Sequence, residues 1–95
     1  MVAYIIADIN VTNNEQYKSY QEKVPETVKK YGGRFIVRGG NPKVIEGDWD
    51  TQRLVVIEFD NPDLAKAWYE SNDYQSIIAV RHRASRGKIA LVEGV

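Results

Sequence analysis

Several residue types and patterns are missing from this chain of 95 residues, and each absence removes a class of structure or chemistry. There is no cysteine, which excludes disulfide bonds, thiolate nucleophiles and thiolate metal ligands. Thirteen basic residues balance thirteen acidic ones, so the chain has no overall field that would draw it to nucleic acid or to a membrane. No apolar run approaches the length of a membrane span and no signal-peptide core precedes the first strand, so we expect a cytoplasmic protein.

What the chain does contain is typical of one small globular domain. Apolar residues make up 43% and charged residues 27%, which is an ordinary composition for such a domain. The length allows a modest hydrophobic core and is too short for two such cores. We therefore expect a single domain spanning residues 1–95.

Four segments have the apolar alternation of β-strands. In chain order they are 3–11, 34–46 with an interruption, 53–59 and 88–92. The interruption is at Gly39 and Gly40, where we expect a bulge or a bend before the strand resumes at Lys43–Glu46. A hairpin turn is then expected at 47–50, because that segment is rich in turn-forming residues.

Helical patterns lie between these strands. Thr12 and Glu15 are spaced as a capping box, and an apolar stripe follows them as far as Tyr31. Pro25 lies inside that stripe and is expected to kink the helix, and Gly32 is suited to the left-handed cap at its end. The later helix signals are the cap Asn61 with Pro62 after it, a break at 71–73, and Gly87 as the end of a third helix.

The resulting order is β-α-β-β-α-(α)-β, which is the split βαβ arrangement of the ferredoxin-like fold in the α+β class. Right-handed crossovers would place the helices on one face of a four-stranded antiparallel sheet. The other face would still carry Ile6, Ile36, Leu54 and Val56, and the chain has no further element to cover them. We therefore expect a homodimer that packs sheet against sheet.

The chain resembles a widespread bacterial domain-of-unknown-function family within the dimeric α/β-barrel superfamily. Four segments carry this resemblance: YGGRFIVRGG, EGDW, RLVVIEF and AWYESNDYQ. The likeness runs from about Ala3 to Gly94. It implies a ferredoxin-like subunit that dimerises through its sheet. The superfamily includes small cofactor-independent monooxygenases, haem-handling proteins, isomerising and dehalogenating enzymes, and stress-responsive proteins. The family has no agreed reaction, so the resemblance brings no catalytic residues with it.

Strand parity suggests a candidate site on the face assigned to the dimer. Tyr4, Asp8, Arg34, Arg38 and Glu58 all fall on that parity. Charges on an apolar face must be paired or must serve a ligand, because unpaired burial is costly. Asp8, Arg38 and Glu58 are therefore candidate catalytic residues, with Tyr4 and Arg34 as ligand-binding ones. The competing interpretation, which we favour, is a structural network of arginines and carboxylates.

Aromatic and basic residues supply the other candidates for ligand binding. Trp49, Trp68 and Tyr74 would line an aromatic pocket, although the helical spacing of the last two is more typical of core residues. Arg81 and His82 belong to a basic cluster near a helix C-terminus, where cations are stabilised without any ligand. A single histidine cannot form a multi-histidine metal site in one chain, so we expect no metal and no cofactor. The less favoured alternative, which the superfamily resemblance implies, is that His82 is a single axial haem ligand.

Three functions remain open from the sequence. The first is a small homodimeric enzyme that needs no cofactor and acts on a small organic molecule in a pocket between sheet and helices. The second is a binding or sensing module that uses the same pocket without chemistry. The third, an RNA-recognition domain, is disfavoured because RLVVIEF has aliphatic residues where stacking aromatics would be needed.

Overall fold

The computed structural model describes all residues from Met1 to Val95, and its elements follow the expected order. They are β1 (Ala3–Val11), α1 (Asn14–Lys30), β2 (Arg34–Gly39), β3 (Arg53–Phe59), α2 (Pro62–Glu70), α3 (Asn72–Ala84) and β4 (Ser85–Glu93). The strands form one antiparallel sheet in the order β2-β3-β1-β4. This is the predicted ferredoxin-like α+β fold. None of its helices is both long enough and apolar enough to cross a membrane.

The hydrophobic core lies between the helices and one face of the sheet, which we call the inner face. Odd-numbered residues of β1 and β3, from Ala3 to Ile9 and from Val55 to Phe59, are buried there. Trp68 and Tyr74 close the core from the helical side at 1% and 0% exposure. Because neighbouring residues of a strand point to opposite faces, the even-numbered residues of β1 and β3 form the outer face.

The helix boundaries are largely as the sequence predicts. Gly32 adopts a φ of +75° after α1, and Asn61 and Ser71 cap α2 and α3 by accepting from the backbone N–H groups of Leu64 and Tyr74. The predicted cap at Thr12 is wrong. Asn13 caps α1 instead, because its Oδ1 accepts from Gln16 N at 3.0 Å, while the Thr12 amide bonds to the Ala84 carbonyl.

The segment between β2 and β3 departs from the predicted hairpin. β2 ends at Gly39, and residues 40–52 form an irregular connection in which Lys43–Glu46 pairs with no strand. Gly39, Gly40 and Asn41 all have positive φ angles, which turn the chain away from the ladder. The apolar side chains of this segment remain outside the core, with Ile45 94% exposed.

A bulge in β2 changes which face its last residues occupy. Phe35 pairs with Ile57, but Val37 rather than Ile36 pairs with Val56. The additional residue places Arg38 opposite Val55, whose side chain is on the inner face. The prediction that Arg38 lies on the dimer-side face is therefore wrong. Simple alternation cannot anticipate a bulge, since one inserted residue reverses the parity of everything after it.

β4 begins earlier than predicted. Helix α3 ends at Ala84 and the strand starts at the next residue, so Gly87 lies within β4 opposite Ile9 and does not end the helix. A Cβ on Gly87 would lie 2.5 Å from Ile9 Cδ1 and 3.1 Å from the Asp8 carbonyl oxygen. Glycine fits this close approach of β4 to β1, since a side chain would displace the end of Ile9 and press on the Asp8 carbonyl.

The outer face consists of three rows of residues that run across the strands. The middle row, Val37, Val56, Ile6 and Ala90, is entirely apolar and crosses all four strands. One flanking row contains Glu58 and Tyr4, and the other contains Leu54 and Asp8. The apolar row is thus bordered by polar groups. Because no helix covers this face, the row remains accessible to another surface.

Candidate functional site

A cavity of about 30 Å³ lies between the inner face and helices α1 and α3. Its walls are mostly apolar and include Ile5, Ala7, Ile9, Val24, Phe35, Val55, Ile57, Trp68 and Ile89. The polar residues of its wall are Tyr17, Tyr20, Gln21, Arg38, Arg53, Tyr74 and Arg81. A cavity of this size has room for only a few water molecules, so a larger group fits only if side chains move. Three arginines and no carboxylate line this space.

Two buried tyrosine hydroxyls meet at the helical side of the cavity. Tyr20 Oη and Tyr74 Oη are 2.8 Å apart, and their rings pack edge to face. Burial raises the pKa of both hydroxyls above the ordinary value, so both stay protonated at neutral pH. Because one hydroxyl donates to the other, the second proton is free for a further acceptor.

Arg81 is the most deeply buried charged residue of the site. It is 7% exposed, it belongs to the apolar stripe of α3 with Tyr74 and Ile77, and it forms no ion pair. Its Nη2 donates to His82 Nε2 at 3.2 Å, whereas its Nε is buried without a hydrogen-bond partner in the protein. The guanidinium lies against β4 beside Gly87, where a Cβ would be in ordinary van der Waals contact with Arg81 Nη1 at 3.7 Å.

Arg53 reaches the cavity from the first position of β3. Its guanidinium lies 5.8 Å from the centre of the Tyr17 ring, and its Nε is also buried without a partner. The sequence interpretation overlooked this residue. The signal was present, because Arg53 has the same parity as Val55 and Ile57, which are the inner residues of β3.

Arg38 lies at the β2 edge of the cavity and is held there by a helix defect. Its Nη2 donates to the carbonyl oxygen of Gln21 at 2.9 Å, and its guanidinium lies 4.7 Å from the centre of the Phe35 ring. Pro25, four residues after Gln21, has no backbone N–H to donate to that carbonyl. The proline therefore frees the acceptor that positions Arg38.

Asp8 does not reach the cavity, because it projects from the outer face. Its carboxylate accepts from Thr51 Oγ1 at 2.6 Å and from Trp49 Nε1 at 2.9 Å. These two hydrogen bonds hold the pKa of Asp8 below its ordinary value, and Lys88 acts in the same direction. Trp49, although 51% exposed, is thus tied to its own chain, and the pair fixes the end of the irregular connection against β1.

Glu58, Arg34 and Tyr4 lie together at the opposite end of the outer face. Glu58 is paired with Tyr4 on one side and with Arg34 on the other, and it accepts a hydrogen bond from Arg34 Nη2. Asp60 is 3.9 Å from the same guanidinium. The candidate catalytic residues are therefore not brought together, because Arg38 is on the inner face while Asp8 and Glu58 are on the outer face.

The predicted basic cluster is divided in the same way. Arg81 turns into the core, whereas His82, Arg83, Arg86 and Lys88 remain exposed. No group of three or more His, Cys, Asp or Glu side chains is placed to hold a metal ion. The exposed ring of His82 is not in the cavity wall, and the cavity is far too small for a haem, so these residues do not fit that cofactor.

Three solved structures share this architecture over almost all of the chain. A protein of unknown function from Rhodopseudomonas palustris, RPA0582, has a TM-score of 0.80 and 11% identity, covering 99% of this chain and 82% of its own. SnoaB, a cofactor-independent oxygenase from Streptomyces nogalater, has a TM-score of 0.71 and 10% identity, with coverage of 99% and 93%. A dimeric ferredoxin-like protein of unknown function from Jannaschia sp. CCS1 has a TM-score of 0.75 and 10% identity, with coverage of 99% and 100%.

At these identities the structural likeness establishes the fold alone. Among curated proteins, none matches the sequence. The family model for a domain of unknown function, DUF1330, matches residues 2–95, which is nearly the whole chain. The chain therefore belongs to the DUF1330 family.

Proposed function

We propose that the protein is a homodimer that takes a small organic molecule into the cavity between its sheet and its helices and needs no cofactor to act on it. The observation that carries this proposal is the polar lining of an otherwise apolar space, in which Arg38, Arg53, Arg81 and the Tyr20–Tyr74 pair converge. A few polar groups in an apolar cavity are the usual composition of a small-molecule site. Ligand entry would require the walls to move, and the exposed Arg38 marks the side at which they would open.

The homodimer is supported by the outer face. The uninterrupted apolar row Val37–Val56–Ile6–Ala90 has no cover within the chain, and a second copy packed sheet against sheet would bury it on both subunits. The similar protein from Jannaschia is described as dimeric. In such a dimer Asp8, Glu58, Arg34 and Tyr4 would surround the apolar contact.

Catalysis is the first version of this function. The similar protein SnoaB is a cofactor-independent oxygenase, which makes chemistry without a cofactor a reasonable expectation for this architecture. Arg38 and Arg81 would orient the substrate and stabilise negative charge that develops during the reaction. Asp8 and Glu58 would contribute only from the dimer interface, since neither lines the cavity of its own subunit.

Binding without chemistry is the second version, and a specific observation favours it. No carboxylate and no imidazole lines the cavity, and the pKa values of Tyr20 and Tyr74 are raised by burial. No side chain of the wall is therefore suited to removing a proton near neutral pH. A bound molecule would therefore leave the cavity chemically unchanged, unless it reacted without help from the protein.

Binding and turnover can be separated on one set of variants. Purified protein is incubated with a panel of small phenols, quinones and carboxylic acids, and both occupancy and product are measured. Ala7→Leu should abolish both, because Ala7 lies in the cavity wall, while Ala67→Leu on the exposed side of α2 should change neither. Saturable binding of an unchanged compound would establish the non-catalytic version.

Glu58→Gln tests the remaining catalytic assignment. If product forms and this variant alters neither occupancy nor rate, Glu58 has no role in the reaction. If Ala7→Leu binds every compound as well as the wild type does, the cavity is not the site and the proposal fails.

A further inference from the structure

Arg81 presents an electrostatic problem that the protein does not solve with its own side chains. Only 7% of the residue is exposed, its Nε is buried, and its guanidinium has no carboxylate partner. The hydrogen bond to the ring of His82 satisfies one N–H and brings no negative charge. A buried cation without a counter-charge is strongly unfavourable, so buried arginines are normally paired.

The other charged groups of the cavity add to this imbalance. Arg38 and Arg53 also line it and also take part in no ion pair, and Asp and Glu are absent from the wall. The acidic residues of β1 and β3, Asp8 and Glu58, project from the opposite face. Three guanidinium groups facing one small apolar space create a positive potential, which attracts an anion.

The hydrogen-bonding groups of the wall show the same bias toward donors. Arg81 Nε and Arg53 Nε are buried donors without partners. The Tyr20–Tyr74 pair offers one further proton after its internal bond. A ligand that fits these groups must accept several hydrogen bonds and carry negative charge, and a carboxylate is an acceptor with two oxygens that matches a guanidinium.

We propose that the cavity binds the carboxylate of a small apolar organic acid, with Arg81 as its principal charge partner. This inference rests on the proposed function and names the class of molecule that would occupy that site. The carboxylate lies among Arg81, Arg53 and the tyrosine hydroxyls. The apolar remainder contacts Val55 and Phe35 and extends toward the exposed Arg38.

A carboxylate suits this wall better than a phosphate does. Phosphate carries more charge and more acceptor oxygens, and the apolar walls offer no further donors to replace its water. An apolar acid places only its head group against the arginines and loses little on burial of the rest. Inorganic phosphate is therefore the ion that the test must distinguish.

The experiment measures the thermal midpoint of the dimer with acetate, butyrate or benzoate, with benzamide as the neutral counterpart of benzoate, and with inorganic phosphate at the same ionic strength. We expect the midpoint to rise with the acids, most strongly with those that have a larger apolar part, and to stay unchanged with benzamide and phosphate. Arg81→Met should reduce benzoate affinity about tenfold or more, since a charge-assisted contact is lost. Arg83→Met, on the same helix but exposed, is the matched control.

A second readout does not depend on any ligand. In buffer without organic acids, Arg81→Met should raise the thermal midpoint, because it removes a buried charge that no side chain balances. A lower midpoint for this variant together with no response to benzoate would show that Arg81 is a structural residue and would overturn the inference. If benzamide and benzoate raised the thermal midpoint equally, and Ala7→Leu abolished both shifts, the inference of a carboxylate ligand would be overturned and the proposed function would stand. Stabilisation by phosphate alone would replace the carboxylate class with an inorganic anion.

Discussion

At the scale of single residues, the Tyr20–Tyr74 pair joins α1 to α3 by a hydrogen bond inside the core. Replacing either tyrosine by phenylalanine leaves the other hydroxyl buried without its partner, and we expect each variant to lose about 1–2 kcal/mol of unfolding free energy. The double variant should lose less than the sum, because it leaves no unpaired hydroxyl. Urea unfolding of the four proteins measures the coupling.

Tyr4→Phe is the control for this comparison of single and double variants, because Tyr4 lies on the outer face and forms no side-chain hydrogen bond within the chain. Strict additivity of the two core substitutions would show that the hydroxyls do not interact in solution.

Asp8 gives the protein a defined response to acid. Hydrogen bonds from Thr51 and Trp49 lower the pKa of Asp8 in the folded protein. Their contribution to the free energy of unfolding is therefore complete above the pKa of the unfolded state, about 3.9, and is lost as the pH falls through the lower pKa of the folded state. Below about pH 4, the wild type should therefore lose stability faster than Asp8→Asn does. The difference in unfolding free energy between the two proteins should shrink by about 1 kcal/mol.

Thermal unfolding from pH 7 to pH 3 measures this narrowing. Asp48→Asn is a suitable control, since Asp48 is exposed in the same connection and its side chain forms no hydrogen bond. A difference between wild type and Asp8→Asn that stays constant with pH would contradict the assignment.

Residues of the site differ in how far the sequence could identify them. Arg81 was predictable as a helix residue on the same face as Tyr74 and Ile77, and the structure buries it there. Arg38 was placed on the wrong face, because the bulge that redirects it depends on the register with β3. Arg53 has the correct parity but was overlooked, since a charge at a strand end is normally exposed.

At the scale of elements, α1 contains a proline that weakens the helix and frees a carbonyl for Arg38. Pro25→Ala restores an N–H that can donate to Gln21, and we expect a net gain of about 1–2 kcal/mol in unfolding free energy. Pro42→Ala, outside any helix, should instead cost up to about 1 kcal/mol, because its unfolded chain becomes more flexible. Chemical denaturation compares the two.

A loss of stability in Pro25→Ala would mean that the Arg38 contact with Gln21 contributes more than the missing helical bond. The helix and that arginine would then have to be treated as one unit.

The elements themselves were largely predictable, and the exception shows why. β1 and β3 have the predicted bounds because their alternation is regular and both are paired on two sides. Lys43–Glu46 has the same local pattern without being a strand, since strand formation needs a hydrogen-bonded neighbour. No strand pairs with this segment, and the connection that contains it is tied to β1 by the hydrogen bonds of Trp49 and Thr51 to Asp8.

At the scale of the whole molecule, the subunit is a slab of 31 × 31 × 16 Å with helices on one side only. Its open face is large enough for the roughly 800 Å² per partner that a standard interface buries. Val56→Glu places a charge in the middle of the apolar row, and we expect it to convert the proposed dimer, of twice 10.8 kDa, into a folded monomer. Sedimentation at micromolar concentration measures the mass.

Ile45→Glu is the matched control, because Ile45 is exposed in the connection after β2 and is not part of the apolar row. It should leave the mass unchanged. A wild-type protein that sediments as a monomer would remove the basis of the homodimer.

The carbonyl of Ala84, at the junction of α3 and β4, accepts from the amides of both Thr12 and Asn13, at 2.8 and 3.0 Å. Both donors belong to exposed residues between β1 and α1, where amide protons usually exchange rapidly with deuterium. Because their acceptor is held by a buried residue, these two protons should exchange only when the third helix separates from the first strand. Two surface amides would then report the opening of the molecule's interior.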